Sequence, residues 1–125
     1  WAFATAGIDA PDLFDAVAET AVKRLERLEE FKPQELSNML WAFAKADVKA
    51  PKLFDAVGQA FGKAAERVML HLDEYNSQEI ANTVWAFATA EATAPELFDA
   101  FAERAVTRLD EFSAQDISNT VWAFA

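Results

Sequence analysis

The chain has no cysteine, one histidine and only three glycines. Without cysteine there is no disulfide framework and no thiolate to act as nucleophile or metal ligand, a composition that fits a reducing compartment. The single histidine, His71, leaves imidazole-based acid–base pairs and metal sites without their commonest member. The acidic residues lack metal-ligand spacing, and His71-x-Asp73-Glu74 is the nearest approach to a ligand cluster. No glycine-rich loop exists to cradle a phosphate. No uncharged run approaches the roughly 18 apolar residues of a membrane span, and no signal or transit segment is recognisable. Positive charge is also scarce, with 11 Lys and Arg against 21 Asp and Glu, a net charge of −10. A chain that grips nucleic-acid phosphates usually carries the opposite excess, because cations must displace the counterions. These absences lead to the expectation of a non-enzyme with no catalytic residue, no cofactor, no metal and no small-molecule substrate.

What the sequence does contain is repetition. The word Trp-Ala-Phe-Ala occurs at Trp1–Ala4, Trp41–Ala44, Trp85–Ala88 and Trp122–Ala125, and holds all four tryptophans. Its starts lie 40, 44 and 37 residues apart, and these spacings differ by 3, 4 and 7. Those differences are close to whole helical turns, so the length can vary without rotating the buried stripe off its face. With 125 residues, 53% of them hydrophobic, the chain can bury one modest core and is not disordered in composition. Because both ends fall inside the repeated word, with neither resembling a polar cap, the chain reads as a window of a longer array.

Each unit reads as two helices. Helix A is complete at Pro33–Ala46 and Ser77–Ala90 and cut short at Trp1–Ala6 and Ala114–Ala125. Asn76 with Glu79, and Ser113 with Asp116, have capping-box spacing, while the third start uses Pro33 at the first helical position. The pairs Phe31–Leu36, Tyr75–Ile80 and Phe112–Ile117 are spaced as hydrophobic staples. Helix B opens at Pro11, Pro51 and Pro95, each followed by x-Leu-Phe-Asp-Ala, and is predicted to run to about Glu30, Glu74 and Glu111. Gly7 followed by Ile8 reads as a Schellman stop, with Asp47–Val48 and Glu91–Ala92 as weaker versions. Gly58-x-x-x-Gly62 inside helix B implies close helix approach. No sustained period-two alternation points to a strand. The expected fold is all-α: an α-solenoid of stacked antiparallel helix pairs, with boundaries 1–32 (partial), 33–76, 77–113 and 114–125 (partial).

The helix-A faces divide cleanly at 100° per residue. Leu36, Met39, Leu40 and Phe43 form a core stripe. Gln34, Asn38, Trp41 and Lys45, with Ser37, lie opposite. The pattern returns as Gln78, Asn82, Trp85 and Thr89, and again as Gln115, Asn119 and Trp122. Stacked units turn these into parallel rows. A tryptophan row serves either as a stacking platform for unpaired bases or as packing between units. Asparagine disfavours a helix interior, so its row implies either a ladder of amide hydrogen bonds between units or the reading of base edges. Between units the flanking positions Ser37/Ala81/Ser118 and Lys45/Thr89/Thr5 vary, as selector positions or merely exposed ones would. Helix B carries most of the acidity on its outer half. Its apolar half, read on the last copy, is Leu97, Phe98, Phe101, Ala105, Val106, Leu109 and Phe112. Along its edge Lys23, Arg67 and Arg104 align, as do Arg27, His71 and Arg108, a basic rim suited to phosphates or to a solvated salt-bridge edge.

The segments Leu36-Ser-Asn-Met-Leu-Trp-Ala-Phe-Ala-Lys-Ala46 and Ile117-Ser-Asn-Thr-Val-Trp-Ala-Phe-Ala125 resemble the helix-A signatures of octotricopeptide-like repeats and of the repeats that accompany RAP domains. The resemblance implies an organellar, chloroplast or mitochondrial, α-solenoid that binds single-stranded RNA in RNA processing, translation or ribosome assembly. It makes Asn38, Asn82 and Asn119, beside Trp41, Trp85 and Trp122, the base readers. The Pro-Pro-Pro-Glu-Trp signature of typical octotricopeptide repeats is absent, and so is a RAP domain. The acidic balance supports a different expectation, a protein scaffold or peripheral subunit of a large organellar assembly such as a ribosome or photosynthetic complex, whose helix-B face meets a basic partner.

Overall fold

The computed structural model describes residues 11–27, 29–63 and 70–125. The first Trp-Ala-Phe-Ala word, the Gly7 stop, Thr5 and Arg67 lie outside the described residues. Among the described residues the chain is helical throughout, without strands: α1 (Pro11–Glu26), α2 (Pro33–Lys45), α3 (Pro51–Phe61), α4 (Ser77–Thr89), α5 (Pro95–Val106) and α6 (Ala114–Phe124). The A-type helices α2, α4 and α6 stack in one layer, and the B-type helices α1, α3 and α5 in a second. The A layer is the more tightly packed of the two, as expected where alanines let backbones approach. This is an α-solenoid of helix pairs.

The two repeated words meet in space. The phenylalanine of each Leu-Phe-Asp-Ala start packs edge-to-face on the phenylalanine of the next Trp-Ala-Phe-Ala word: Phe14 on Phe43, Phe54 on Phe87 and Phe98 on Phe124, each with centroids 5.0 Å apart. Such pairs add about 0.5–1.5 kcal/mol beyond the area they bury. Between them, Leu36, Leu40, Phe43, Ile80, Val84 and Phe87 of the A stripes are buried, as are Leu53, Val57, Leu97 and Phe101 of the B stripes. On α6 the same stripe is open. Val121 is 63% exposed where Val84 is 0% exposed, because among the described residues no helix packs on the outer side of α6.

The helix ends show how local chemistry sets the unit. Asn76 and Ser113 accept from the amides of Glu79 and Asp116, whose carboxylates accept in return from the cap amides. At Pro33 half of this arrangement exists: Glu35 accepts from the Lys32 amide, but lysine offers no acceptor. Both complete A helices close in full Schellman geometry. Val48 N–H donates to Phe43 O and Asp47 N–H to Ala44 O, and Ala92 and Glu91 repeat the pattern on Phe87 and Ala88. Asp47 and Glu91 both sit at φ 57°, a left-handed position that ordinarily takes glycine. These stops are thus complete rather than weak.

Helix B ends earlier than its periodicity predicts. α1 stops at Glu26 and α5 at Val106, and the stretches before the second and third A helices are the three-ten turns Leu72–Glu74 and Leu109–Glu111. The apolar stripe read as continuous therefore breaks, leaving Val106 and Leu109 exposed. Apolar periodicity is shared by a helix and by a turn that tucks one side chain under, so it did not separate the two. Gly58 does permit close approach: a Cβ there would lie 3.0 Å from the Ala94 Cβ at the start of α5.

Tyr75 stands where the neighbouring units have Phe31 and Phe112. Its ring is fully buried between Phe61 and Phe101. Its hydroxyl is buried without a hydrogen-bond partner, and burial pushes its pKa up. An unsatisfied buried hydroxyl costs about 1–3 kcal/mol. Tyr75→Phe is accordingly expected to raise stability by about 1 kcal/mol, read as a higher urea midpoint at unchanged slope.

Candidate functional site

The predicted rows return along the A helices, and part of them borders the B helices: Asn38 lines a groove with Leu13 and Val17 of α1, and Gln78 and Gln115 line a depression with Arg104 of α5. Gln34, Gln78 and Gln115 occupy the second position of α2, α4 and α6 and are exposed. One turn on come Asn38, Asn82 and Asn119, each half-buried; the next turn carries Trp41 and Trp85, half-buried, and Trp122, 56% exposed. Lys45 is exposed at the end of α2, and Thr89, at the end of α4, is half-buried. Helical spacing alone aligns these side chains within a unit, and the stacking of α2 on α4 and α4 on α6 aligns them between units.

Trp85 leans on the core while keeping one part accessible. The asparagines are distinctive. None of Asn38, Asn82 and Asn119 makes a side-chain hydrogen bond, and none has a buried unsatisfied amide atom. The amide ladder between units is therefore not formed among the described residues, and both donor and acceptor of each amide meet solvent. The variable positions separate as well. Ser37 and Ala81 are buried in the A layer, with Ser37 Oγ donating to Gln34 O at 3.4 Å. Ser37 thus belongs to packing, not to the outward face, and its variation follows the neighbouring helix. Lys45 and Thr89 remain on the outward side.

Charge is unevenly placed. The carboxylates nearest the Asn and Trp rows, Glu35, Glu79 and Asp116, are held in capping interactions. Exposed carboxylates of Asp12, Asp15, Glu19, Asp55, Glu96 and Asp99 lie on the B helices. Among the described residues, the arginines of the basic rim are held in structural contacts, while Lys23 is exposed. Arg104 Nε donates to Tyr75 O at 3.2 Å, Arg108 pairs with Glu111 at 3.3 Å, and Arg27 approaches Glu29 at 3.9 Å. Ser77 Oγ adds a polar clasp between α4 and α6, donating to Glu111 O and near Asp116 Oδ2. Sequence spacing gave no sign of these clasps, since they join residues 29 to 39 apart along the chain. The Asn and Trp rows form an uncharged strip, which at the helix starts meets a depression where Gln78 and Gln115 lie beside Glu74, Arg104, Arg108 and Glu111. The strip can stack planar groups and hydrogen-bond to their edges. Among the described residues no cluster of His, Asp and Glu has a geometry for holding a metal ion, and no helix is long and apolar enough to cross a membrane.

Residues 56–125, from within α3 through α6, match the model of a family described as RNA-editing substrate-binding complex 6 protein. Residues 14–40 match a second family, described as a protein of unknown function. No curated protein matches the chain.

Proposed function

The chain belongs to the RNA-editing substrate-binding complex 6 protein family, and from that premise we propose that it is a non-catalytic helical-repeat module that holds single-stranded RNA within an RNA-processing assembly of an organelle. Its likeness to octotricopeptide-like repeats supports the same reading. The observation that carries it is the row of Asn38, Asn82 and Asn119, unsatisfied by the protein and accessible, beside the indoles of Trp85 and Trp122. An amide that offers donor and acceptor together matches the edge of an unpaired base, and an indole supplies the stacking surface. Gln34, Gln78 and Gln115 extend the strip at the helix starts; Lys45 and Thr89 close it at the helix ends.

The scarcity of cations on this strip dictates the salt response. With Lys45 the only cation in the rows, the slope of log affinity against log salt is expected near −0.7, so affinity falls only about threefold between about 50 and 200 mM salt. Fluorescence anisotropy with a labelled single-stranded RNA checks this. A loss of a thousandfold would place the contacts on phosphates instead. Negligible affinity at about 50 mM salt would sink the RNA reading altogether. It would leave the acidic B helices, as a docking face for a basic protein, as the better account. Duplex RNA of the same sequence is expected to compete poorly, because its bases are already stacked and paired.

A further inference from the structure

His71 occupies the position that Arg27 and Arg108 hold in the neighbouring units. Its backbone is left-handed, with φ 57°, at the start of the three-ten turn Leu72–Glu74. That conformation aims the ring across the seam between two units. Nδ1 lies 2.6 Å from Glu74 Oε2, and Nε2 lies 2.9 Å from Glu30 Oε1, the second contact being an ion-pair approach outside hydrogen-bond alignment. Glu30 and Glu74 are equivalent residues, each immediately before the aromatic staple of an A helix. The ring therefore links one carboxylate from each of two successive units. A neutral imidazole carries one N–H and turns a lone pair toward the other carboxylate; only the imidazolium presents a proton to both.

Among the described residues, the charges that neighbour Glu30 and Glu74 along the chain are placed as follows. Glu29 is paired with Arg24 at 3.5 Å, and Arg24 Nη2 donates to Glu30 O. Asp73 is exposed within the same turn. Glu79 at the start of α4 is held by the Asn76 amide. In the following unit the equivalent carboxylate, Glu111, is met by Arg108, a permanent cation.

We propose that His71 is a proton-operated clip: the imidazolium ties Glu30 to Glu74, and loss of a proton releases one of them and loosens the seam where α2 stacks on α4, while the next seam, held by Arg104 on the Tyr75 carbonyl and by the Ser77 clasp, keeps its grip. The clip sets the relative placement of the α2 and α4 rows, and it stands on this geometry whether or not those rows meet RNA. The hydrogen bond to Glu74, aided by the nearby Glu30 carboxylate, raises the histidine above its ordinary 6.5 against the lowering effect of partial burial. A folded-state pKa raised in this way contributes stability that is complete below the unfolded value and is lost as pH rises through the folded one. The seam therefore weakens from neutral toward mildly alkaline pH, a window in which carboxylates and arginines do not titrate.

Two measurements on the whole chain test this. Thermal unfolding is followed at about pH 6 and about pH 8.5 for the wild type, His71→Arg and His71→Gln. The wild type is expected to lose about 2–4 °C more than His71→Arg between the two conditions, and to converge on His71→Gln at the higher pH. In parallel, the His71 ring titration is read by NMR. Its midpoint is expected above that of a free histidine, and to fall in both Glu30→Gln and Glu74→Gln. Wild type and His71→Gln keeping a constant offset across pH would overturn the proposal. So would a midpoint that responds to Glu74→Gln but not to Glu30→Gln, since the ring would then serve only its own turn.

Discussion

Replacing Asn38, Asn82 and Asn119 together by alanine is expected to weaken single-stranded RNA binding by more than about a hundredfold while making the protein more stable. The two effects have separate origins. Each amide that meets a base edge in a bidentate fashion contributes about 1–3 kcal/mol, so losing three exceeds a hundredfold even at the low end of that range. None of the three makes a hydrogen bond within the described structure, so their removal orphans no partner. Each change gains instead about 0.5 kcal/mol of helix propensity. Binding isotherms and urea denaturation of the triple variant measure the two quantities independently. A variant that is less stable, or that binds RNA as tightly as the wild type, would return the asparagine row to a structural role. The expected combination is the signature of residues kept for contact rather than for folding.

The largest expected loss of stability lies in the core between the two layers. Phe101 is fully buried, packing edge-to-face on Phe61 and tilted on Tyr75, both 5.0 Å away by ring centroid. These three rings come from α3, α5 and the turn before α4, and join the B layer to the A layer at one point. Phe101→Ala is expected to cost about 3–5 kcal/mol. A single domain commonly has about 5–15 kcal/mol in total, so most of the margin would be lost. Phe98→Ala offers the comparison: its ring is half-buried and rests on Phe124 near the open side of α6. It should cost less than half as much, because fewer neighbours lose contact. Urea midpoints by circular dichroism and by tryptophan fluorescence separate the two, and equal losses would contradict the nearest-neighbour stability of a stacked array.

Much of this architecture could be read from the chain alone, and the reason is locality. A proline at the first turn, a capping carboxylate three residues after its cap, and an apolar stripe at helical spacing act through residues adjacent in sequence. Pro33, Pro51 and Pro95 therefore open helices, and Asn76 and Ser113 cap them. The Trp-Ala-Phe-Ala word likewise resolves by angle alone into a buried phenylalanine, close-packing alanines and an outward tryptophan. The ends of the B helices were not legible. The apolar positions up to Phe112 keep their spacing whether the backbone is an α-helix or closes in a three-ten turn, and the choice rests on what the turn packs against.

The site divides along the same line. Gln34, Asn38, Trp41 and their counterparts share a face because of helical periodicity, and the residue types alone indicate that this face can stack rings and hydrogen-bond to edges. Whether the asparagines would be consumed by neighbouring units depended on how far apart α2, α4 and α6 settle, and that distance is set by the alanines and by Ser37 and Ala81 in the seam. The meeting of Phe14 with Phe43 and of Phe54 with Phe87, the hold of Arg104 on the Tyr75 carbonyl and the reach of His71 to Glu30 belong to the same category. Each joins residues about 29 to 41 apart along the chain. Contacts within one or two turns are dictated by the chain's own geometry; contacts across a seam exist only once two helices have docked, because stacking, not sequence spacing, sets their distance.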